Sequence, residues 1–480
     1  MHKIGLIYAA LIIAVVTSSG CDGADNSDTV IFGGSPTQRL TDGSSVTGSD
    51  PLSDMGVGRV TMTDGSVGGA SREPERPDMA SEGDAAVSDH RDVAPGQSLG
   101  DGPMDGLAES TGFSTRALRW SVPESGSDDG FFTAWYGANT RWFATMDLTG
   151  DGVADLIQTG DISRDNGFVW TDGHGSFWKV WPGHGEGFSE EYLRWSVPDS
   201  GQSDGFFFTS WSNGTRWFST RDLNGDGRPD LIQTADPSRS GGYVWRDERG
   251  SYWRVWLGRD GGFAPDYLRW AVPESGLDDG FFSLYWSDGP RWHSTIDLTG
   301  DGRPDLVQTA DPHRDGGYVF NDDQGAYWVV WAGVEGGFSA QHVRWPVPSS
   351  GLSDGFFAAS WTQGERSFAT IDITGDGLLD LVQSADSERR GGYVWRDSLG
   401  PFWKVFPGDG GGFAADAVRW SVPESGLGDG FFALWWTQGE RGFATIDLTG
   451  DQVPDLVQTA NPGRSGGFVW RDEVGAYWLV

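Results

Sequence analysis

From Gly112 to the C terminus, apolar residues come in short runs rich in Val, Ile, Trp, Phe and Tyr, punctuated by Gly, Asp and Pro. No run keeps the 3.6-residue spacing of a helix, whereas β-branched and aromatic residues between turn formers mark strands. In one representative stretch the pattern predicts strands near Trp217–Asp222, Asp230–Thr234, Tyr252–Leu257 and Leu268–Val272, with Tyr243–Asp247 as an added hairpin strand. The fold class expected is all-β.

The same pattern returns about every 75 residues. Arg-Trp stands at Arg119-Trp120, Arg194-Trp195, Arg269-Trp270, Arg344-Trp345 and Arg419-Trp420, each followed by Val-Pro. Asp-Gly-Phe-Phe stands at Asp129–Phe132, Asp204–Phe207, Asp279–Phe282, Asp354–Phe357 and Asp429–Phe432. A repeat of this kind is one sheet-sized unit that needs its neighbours to bury its faces. The last unit ends at Tyr477-Trp478-Leu479-Val480, before the Gly-Phe…Arg-Trp…Val-Pro stretch that completes the other four. A spare copy of that stretch stands in front, from Gly112-Phe113 to Pro123. The expectation is a five-bladed β-propeller over 112–480, closed by its N-terminal strand, since closure removes exposed sheet edges.

Each unit also carries Asp-x-(Thr/Asn)-Gly-Asp-Gly-x-x-Asp-Leu, at Asp147–Leu156, Asp222–Leu231, Asp297–Leu306 and Asp372–Leu381. A fifth copy, Asp447–Leu456, has Gln452 in place of the second Gly. Calcium takes six to eight oxygens, and a tight loop offers side chains at positions 1, 3, 5 and 9 and a carbonyl at position 7. The expected ligands are Asp147, Thr149, Asp151 and Asp155, then Asp222, Asn224, Asp226 and Asp230, then Asp297, Thr299, Asp301 and Asp305. The last two sets are Asp372, Thr374, Asp376 and Asp380, then Asp447, Thr449, Asp451 and Asp455. Plain Asp-Gly hairpin turns are the alternative, but a hairpin does not need three carboxylates, five times over. The expected affinity is weak, ~10⁻⁴–10⁻³ M, as in extracellular modules.

With these loops the chain resembles the FG-GAP and VCBS repeat families, most closely at Asp222–Leu231. The resemblance covers 112–480 and implies propeller blades whose hairpin loops bind calcium, chiefly for structure. Thr149, Thr299, Thr374 and Thr449 depart from the families' usual Asn or Asp, and Gln452 departs in the fifth loop.

Two aromatic series share a phase: Tyr136, Trp211, Trp286, Trp361 and Trp436, and Trp178, Trp253, Trp328, Trp403 and Trp478. The first series is the candidate ligand surface, where rings would stack on sugars. Packing between blades is the competing role for any of them.

Composition changes the picture at the N terminus. Ile4–Val16 is an apolar run too short to span a bilayer, which takes ~20 residues, and Thr17-Ser18-Ser19-Gly20 leads to Cys21, the only cysteine. Residues 1–21 therefore resemble a bacterial lipoprotein signal with Cys21 as the lipidation site, although Ser18 departs from the aliphatic residue usual there. Residues 22–111 are rich in Asp, Gly, Ser and Pro and contain too little apolar surface to fold, so they are expected to be a disordered acidic linker. One cysteine excludes an internal disulfide. The net charge of −35 excludes nucleic acid, which needs clustered Lys and Arg.

Gly201–Gly205 and Gly351–Gly355 match Gly-x-Ser-x-Gly, but the serine recurs as Asp128, Asp278 and Gly428 in other units and has no strand-turn-helix setting. The expectation is a non-enzymatic, calcium-binding, monomeric adhesion or binding protein. It would be secreted and lipid-anchored in the cell envelope, at the outer membrane or cell surface, with a glycan or protein ligand. The alternatives are a multivalent lectin and, more remotely, a propeller enzyme acting on polysaccharide.

Overall fold

The computed structural model describes residues 111–480, apart from short segments that recur in each repeat: 126–129, 139–140 and 162–168; 201–204, 214–215 and 236–243; 276–279, 289–290 and 311–318; 351–354, 364–365 and 386–393; 426–429, 439–440 and 461–468. The expectations for the signal, Cys21 and the linker up to residue 110 lie outside the described residues. The rest is all-β: five sheets of about 75-residue repeats, resembling a propeller.

The second repeat shows the plan. Ser210–Asn213, Arg216–Arg221, Asp230–Ala235, Gly250–Trp256 and Leu268–Ala271 pair in that order, all antiparallel, and Trp245–Asp247 joins Gly250–Trp256 as a side hairpin. Asp230–Ala235 is buried at every residue, which is why it reads as a continuous run and not as an alternation. From Ser251, Gly250–Trp256 alternates buried and half-buried residues until its last two, both buried, as a strand with one packed face should. The register slips between Trp217 and Phe218, and at the matching place in every repeat. Such a bulge increases local twist.

Neighbouring repeats are joined by a recurring set of bonds. The indole N–H groups of Trp178, Trp253, Trp328 and Trp403 donate to the carbonyls of Phe206, Phe281, Phe356 and Phe431 at 2.8 Å. The Phe-Phe pair of each repeat is thereby fixed to the sheet before it. Trp478 makes the same bond to Phe131, linking the last repeat to the first. The first strand completes this cycle: Arg119–Ser121 pairs antiparallel with Ala476–Leu479, Trp120 opposite Trp478. Gly112 bridges Ser421 of the fourth sheet, as Gly187 bridges Ser121, Gly262 bridges Ser196 and Gly337 bridges Ala271.

At the outer strands Arg194, Arg269, Arg344 and Arg419 pair with Asp172, Asp247, Asp322 and Asp397 through two guanidinium nitrogens. Each guanidinium also stacks on Phe177, Tyr252, Tyr327 or Phe402 at 4.7–4.9 Å. Arg119 makes the fifth clamp, to Asp472 and over Tyr477, and so ties the first strand to the last hairpin.

Candidate cation-binding loops

Every Asp loop joins the second and third strands of its sheet, and its shape comes from its own carboxylates. In the first loop Asp147 accepts the N–H groups of Gly150, Asp151 and Gly152 at 2.7, 3.2 and 2.9 Å. Asp155 accepts Leu148 and Thr149 at 2.8 Å and Gly183 at 3.0 Å. The backbone must turn left-handed at position 6 to deliver those amides. Gly152, Gly227, Gly302 and Gly377 do so at φ 85–94°, a region cheap only for glycine. Gln452 follows at φ 73°, the one non-glycine with positive φ among the described residues. Asp447 still accepts Gly450 and Gln452, so the fifth loop keeps the shape.

Position 1 and position 9 are carboxylates side by side, both buried in the first three loops, while Asp372 in the fourth and Asp455 in the fifth are half-buried. Burial raises Asp147 to about 6 and Asp155 to about 7, against the pull of the amides, with a further push on Asp155 from the Asp147 charge. Asp222 and Asp380 rise to about 6 and Asp305 to about 7 for the same first cause. Position 3 stands with this pair: Thr299 Oγ1 is 3.5 Å from both Asp297 Oδ1 and Asp305 Oδ1. The buried hydroxyls of Thr149 and Thr449 have no hydrogen-bond partner, which is costly in a folded protein.

The structure thus brings positions 1 and 9 together in every loop, and position 3 with them in the third. Position 5 stands apart: Asp151, Asp226, Asp301, Asp376 and Asp451 each turn to the amide two residues on. Among the described residues, no group of three or more His, Cys, Asp or Glu side chains is gathered closely enough to hold a metal. The donor set per loop is two carboxylates and, in the threonine loops, a hydroxyl, all hard oxygens suited to calcium. The orphaned hydroxyls and the adjacent, like-charged carboxylates fit a cation there. The Asn224 loop is different: Asn224 Oδ1 accepts Asp226 N–H at 2.7 Å and its Nδ2 donates to Asp226 Oδ2 at 3.0 Å.

The loops touch in a circle. Position 4 of each lies against position 7 of the next: Gly150 on Arg228, Gly225 on Arg303, Gly300 on Leu378, Gly375 on Val453 and Gly450 on Val153. Sequence reasoning missed this contact, because it joins residues one whole repeat apart.

Of the candidate ligand aromatics, Tyr136 packs on Phe132 and Phe143, Trp361 on Phe357 and Trp292, and Trp436 on Phe432, all half-buried. The side chains of Trp211 and Trp286 lie outside the described residues. The second aromatic series, with Trp178 and Trp478, is fully buried.

No family model matches the chain, and no curated protein does. Among solved structures, the chain is similar to a Photorhabdus luminescens Tc holotoxin pore, at 14% identity and TM-score 0.37, over 76% of this chain and 12% of that one. It is similar to an Agrocybe aegerita lectin that recognises non-reducing terminal N-acetylglucosamine, at 16% identity and TM-score 0.34, over 68% of this chain and 75% of the lectin. An exo-1,5-α-L-arabinanase from a bovine ruminal metagenomic library gives 9% identity and TM-score 0.23, over 72% of this chain and 99% of the enzyme. The chain spans only about an eighth of the toxin chain's length.

Proposed function

We propose that residues 112–480 form a five-bladed propeller that holds calcium in its Asp loops and serves as a binding scaffold without catalysing a reaction. The observation that supports this most is the circle of loops, each with two adjacent carboxylates at positions 1 and 9, both buried in the first three loops, and in the third loop a hydroxyl beside them. Positions 1, 3 and 9, with the position-5 aspartate and position-7 carbonyl, would hold the ion. The ion supplies the positive charge that the paired carboxylates lack. Export and a lipid anchor at Cys21, with 22–111 as a tether, belong to the same reading.

The ligand class we propose is a glycan. A chain of net charge −35 repels polyanions, and five near-equivalent repeats reward multivalent binding to a repeated sugar. Thermal unfolding of the intact protein in millimolar calcium and in chelator tests the metal. The midpoint should rise with calcium concentration, and no shift at any level would sink it. A glycan array that includes terminal N-acetylglucosamine tests the ligand. Binding that needs densely printed sugar is expected, and a blank array would move the ligand to a protein surface.

A further inference from the structure

One row of side chains recurs across each sheet, away from the Asp loops. In the second sheet Gln233 stands opposite Arg254, and Arg254 opposite Arg269, so all three point to the same face. Arg269 is answered by Asp247. Arg254 is not: its buried Nε–H has no acceptor, and among the described residues no carboxylate pairs with it. A chain with 69 acidic residues against 34 basic ones thus leaves a half-buried guanidinium unpaired, directly opposite a second cation. Like charges in that position cost stability, and a bound anion would relieve them.

The guanidinium is held in place. It lies 3.5 Å over the Trp245 ring and 4.6 Å over Tyr267. Rings on its faces leave the in-plane N–H groups to an acceptor. Tyr267 is 43% exposed, so solvent reaches the guanidinium from that side. Gln233, 2% exposed, adds a carboxamide that both donates and accepts. The fourth sheet repeats the arrangement with Gln383 opposite Lys404, and there the buried Gln383 Nε2 has no partner either. The first sheet has Gln158 opposite Lys179. The third and fifth have Val329 and Leu479 in the cation's place.

We propose that Arg254 and Gln233 form an acidic-sugar site, in which the guanidinium takes the carboxylate of a uronic acid and the carboxamide takes the hydroxyl beside it. The proposal rests on the glycan reading above and narrows its sugar. A net charge of −35 repels a polyanion at long range, so the site suits a single uronic acid that ends a neutral glycan. Lys179 and Lys404 are point charges without the planar fork, and their sites hold the carboxylate less tightly.

Calorimetric titration of the intact protein with sodium glucuronate, glucose and sodium acetate at one ionic strength tests this. Glucuronate should saturate, with glucose and acetate at least about tenfold weaker. Arg254→Val copies the residue that the third sheet already has, and should weaken glucuronate by about tenfold or more. Gln233→Glu supplies an internal carboxylate to Arg254 and should do the same, with the thermal midpoint showing that each variant is folded. If either folded variant binds glucuronate like the parent, or if acetate or glucose binds as tightly, the proposal is overturned. If glucuronate gives no heat while a neutral sugar binds on the array, the proposal falls and the glycan reading survives. No glucuronate binding together with a blank array would remove both.

Discussion

At Gln452 an L-residue occupies a backbone region where the other loops place glycine. A side chain there costs about 1–2 kcal/mol, partly offset because glycine loses more chain entropy on folding. Gln452→Gly should therefore stabilise the protein by about 1 kcal/mol in urea unfolding, and a loss of stability would mean that the Gln452 side chain makes a compensating contact. Thr149 gives a sharper test. Its hydroxyl is buried and has no partner in the protein, so Thr149→Val should raise stability in chelator by about 1 kcal/mol or more. The same variant should shrink the stabilisation that calcium gives. Spacing alone located the loops and their side chains at positions 1, 3, 5 and 9, without marking positions 1 and 9 as the more buried pair. It did not show that Asp151 would turn to the Val153 amide or that Asn224 would be self-satisfied, because those depend on local hydrogen bonding and not on residue type.

Among the elements, strands that carry β-branched or aromatic runs were legible, and short ones were not. Arg216–Arg221, Asp230–Ala235, Gly250–Trp256 and Leu268–Ala271 fall where the pattern put them. Ser210–Asn213 was missed, since it is only four residues of mixed polarity, Ser-Trp-Ser-Asn. The hairpin Gly258–Arg259 with Gly262–Phe263 was missed because glycine leaves no alternation to read. The Arg-Trp recurrence, by contrast, is explained: Trp fills the core and Arg closes a clamp. Arg119 holds Asp472 at about 2, mainly through its side-chain hydrogen bonds, and Arg194 does the same to Asp172. A carboxylate depressed in the fold adds stability above its ordinary range near pH ~4, and that gain is lost as pH falls toward 2. Asp472→Asn should therefore lower the midpoint at pH 6 and converge with wild type near pH 2; a constant offset would show that the clamp acts by shape alone. The buried Trp328, whose N–H meets the Phe356 carbonyl, should cost about 3–5 kcal/mol when cut to Ala.

For residues 111–480 as a whole, the question is whether the chain ends are part of the architecture or only where it happens to start. Gly112 takes the place that Gly187, Gly262, Gly337 and Gly412 take in the other repeats, beside the outer strand of the preceding sheet. Leu118 and Val480 exchange backbone hydrogen bonds at 2.6 and 3.0 Å. The junction therefore has the geometry of an internal one, with only the stretch equivalent to residues 406–411 absent. A permuted chain should exploit this. Val480 would be joined to Gly112 through Phe-Pro-Gly-Asp-Gly-Gly, the sequence of 406–411, and the chain reopened between Glu186 and Gly187, at the turn of the matching hairpin. Gly187-Phe188 would then open the repeats as Gly112-Phe113 does now. The permutant should unfold within a few degrees of the parent, because every sheet keeps its partners and a surface hairpin tip tolerates new ends. If it instead unfolded in two steps or only aggregated, the first strand would be contributing something beyond the pairing it shares with its four counterparts, and the five repeats would not be interchangeable at their junctions.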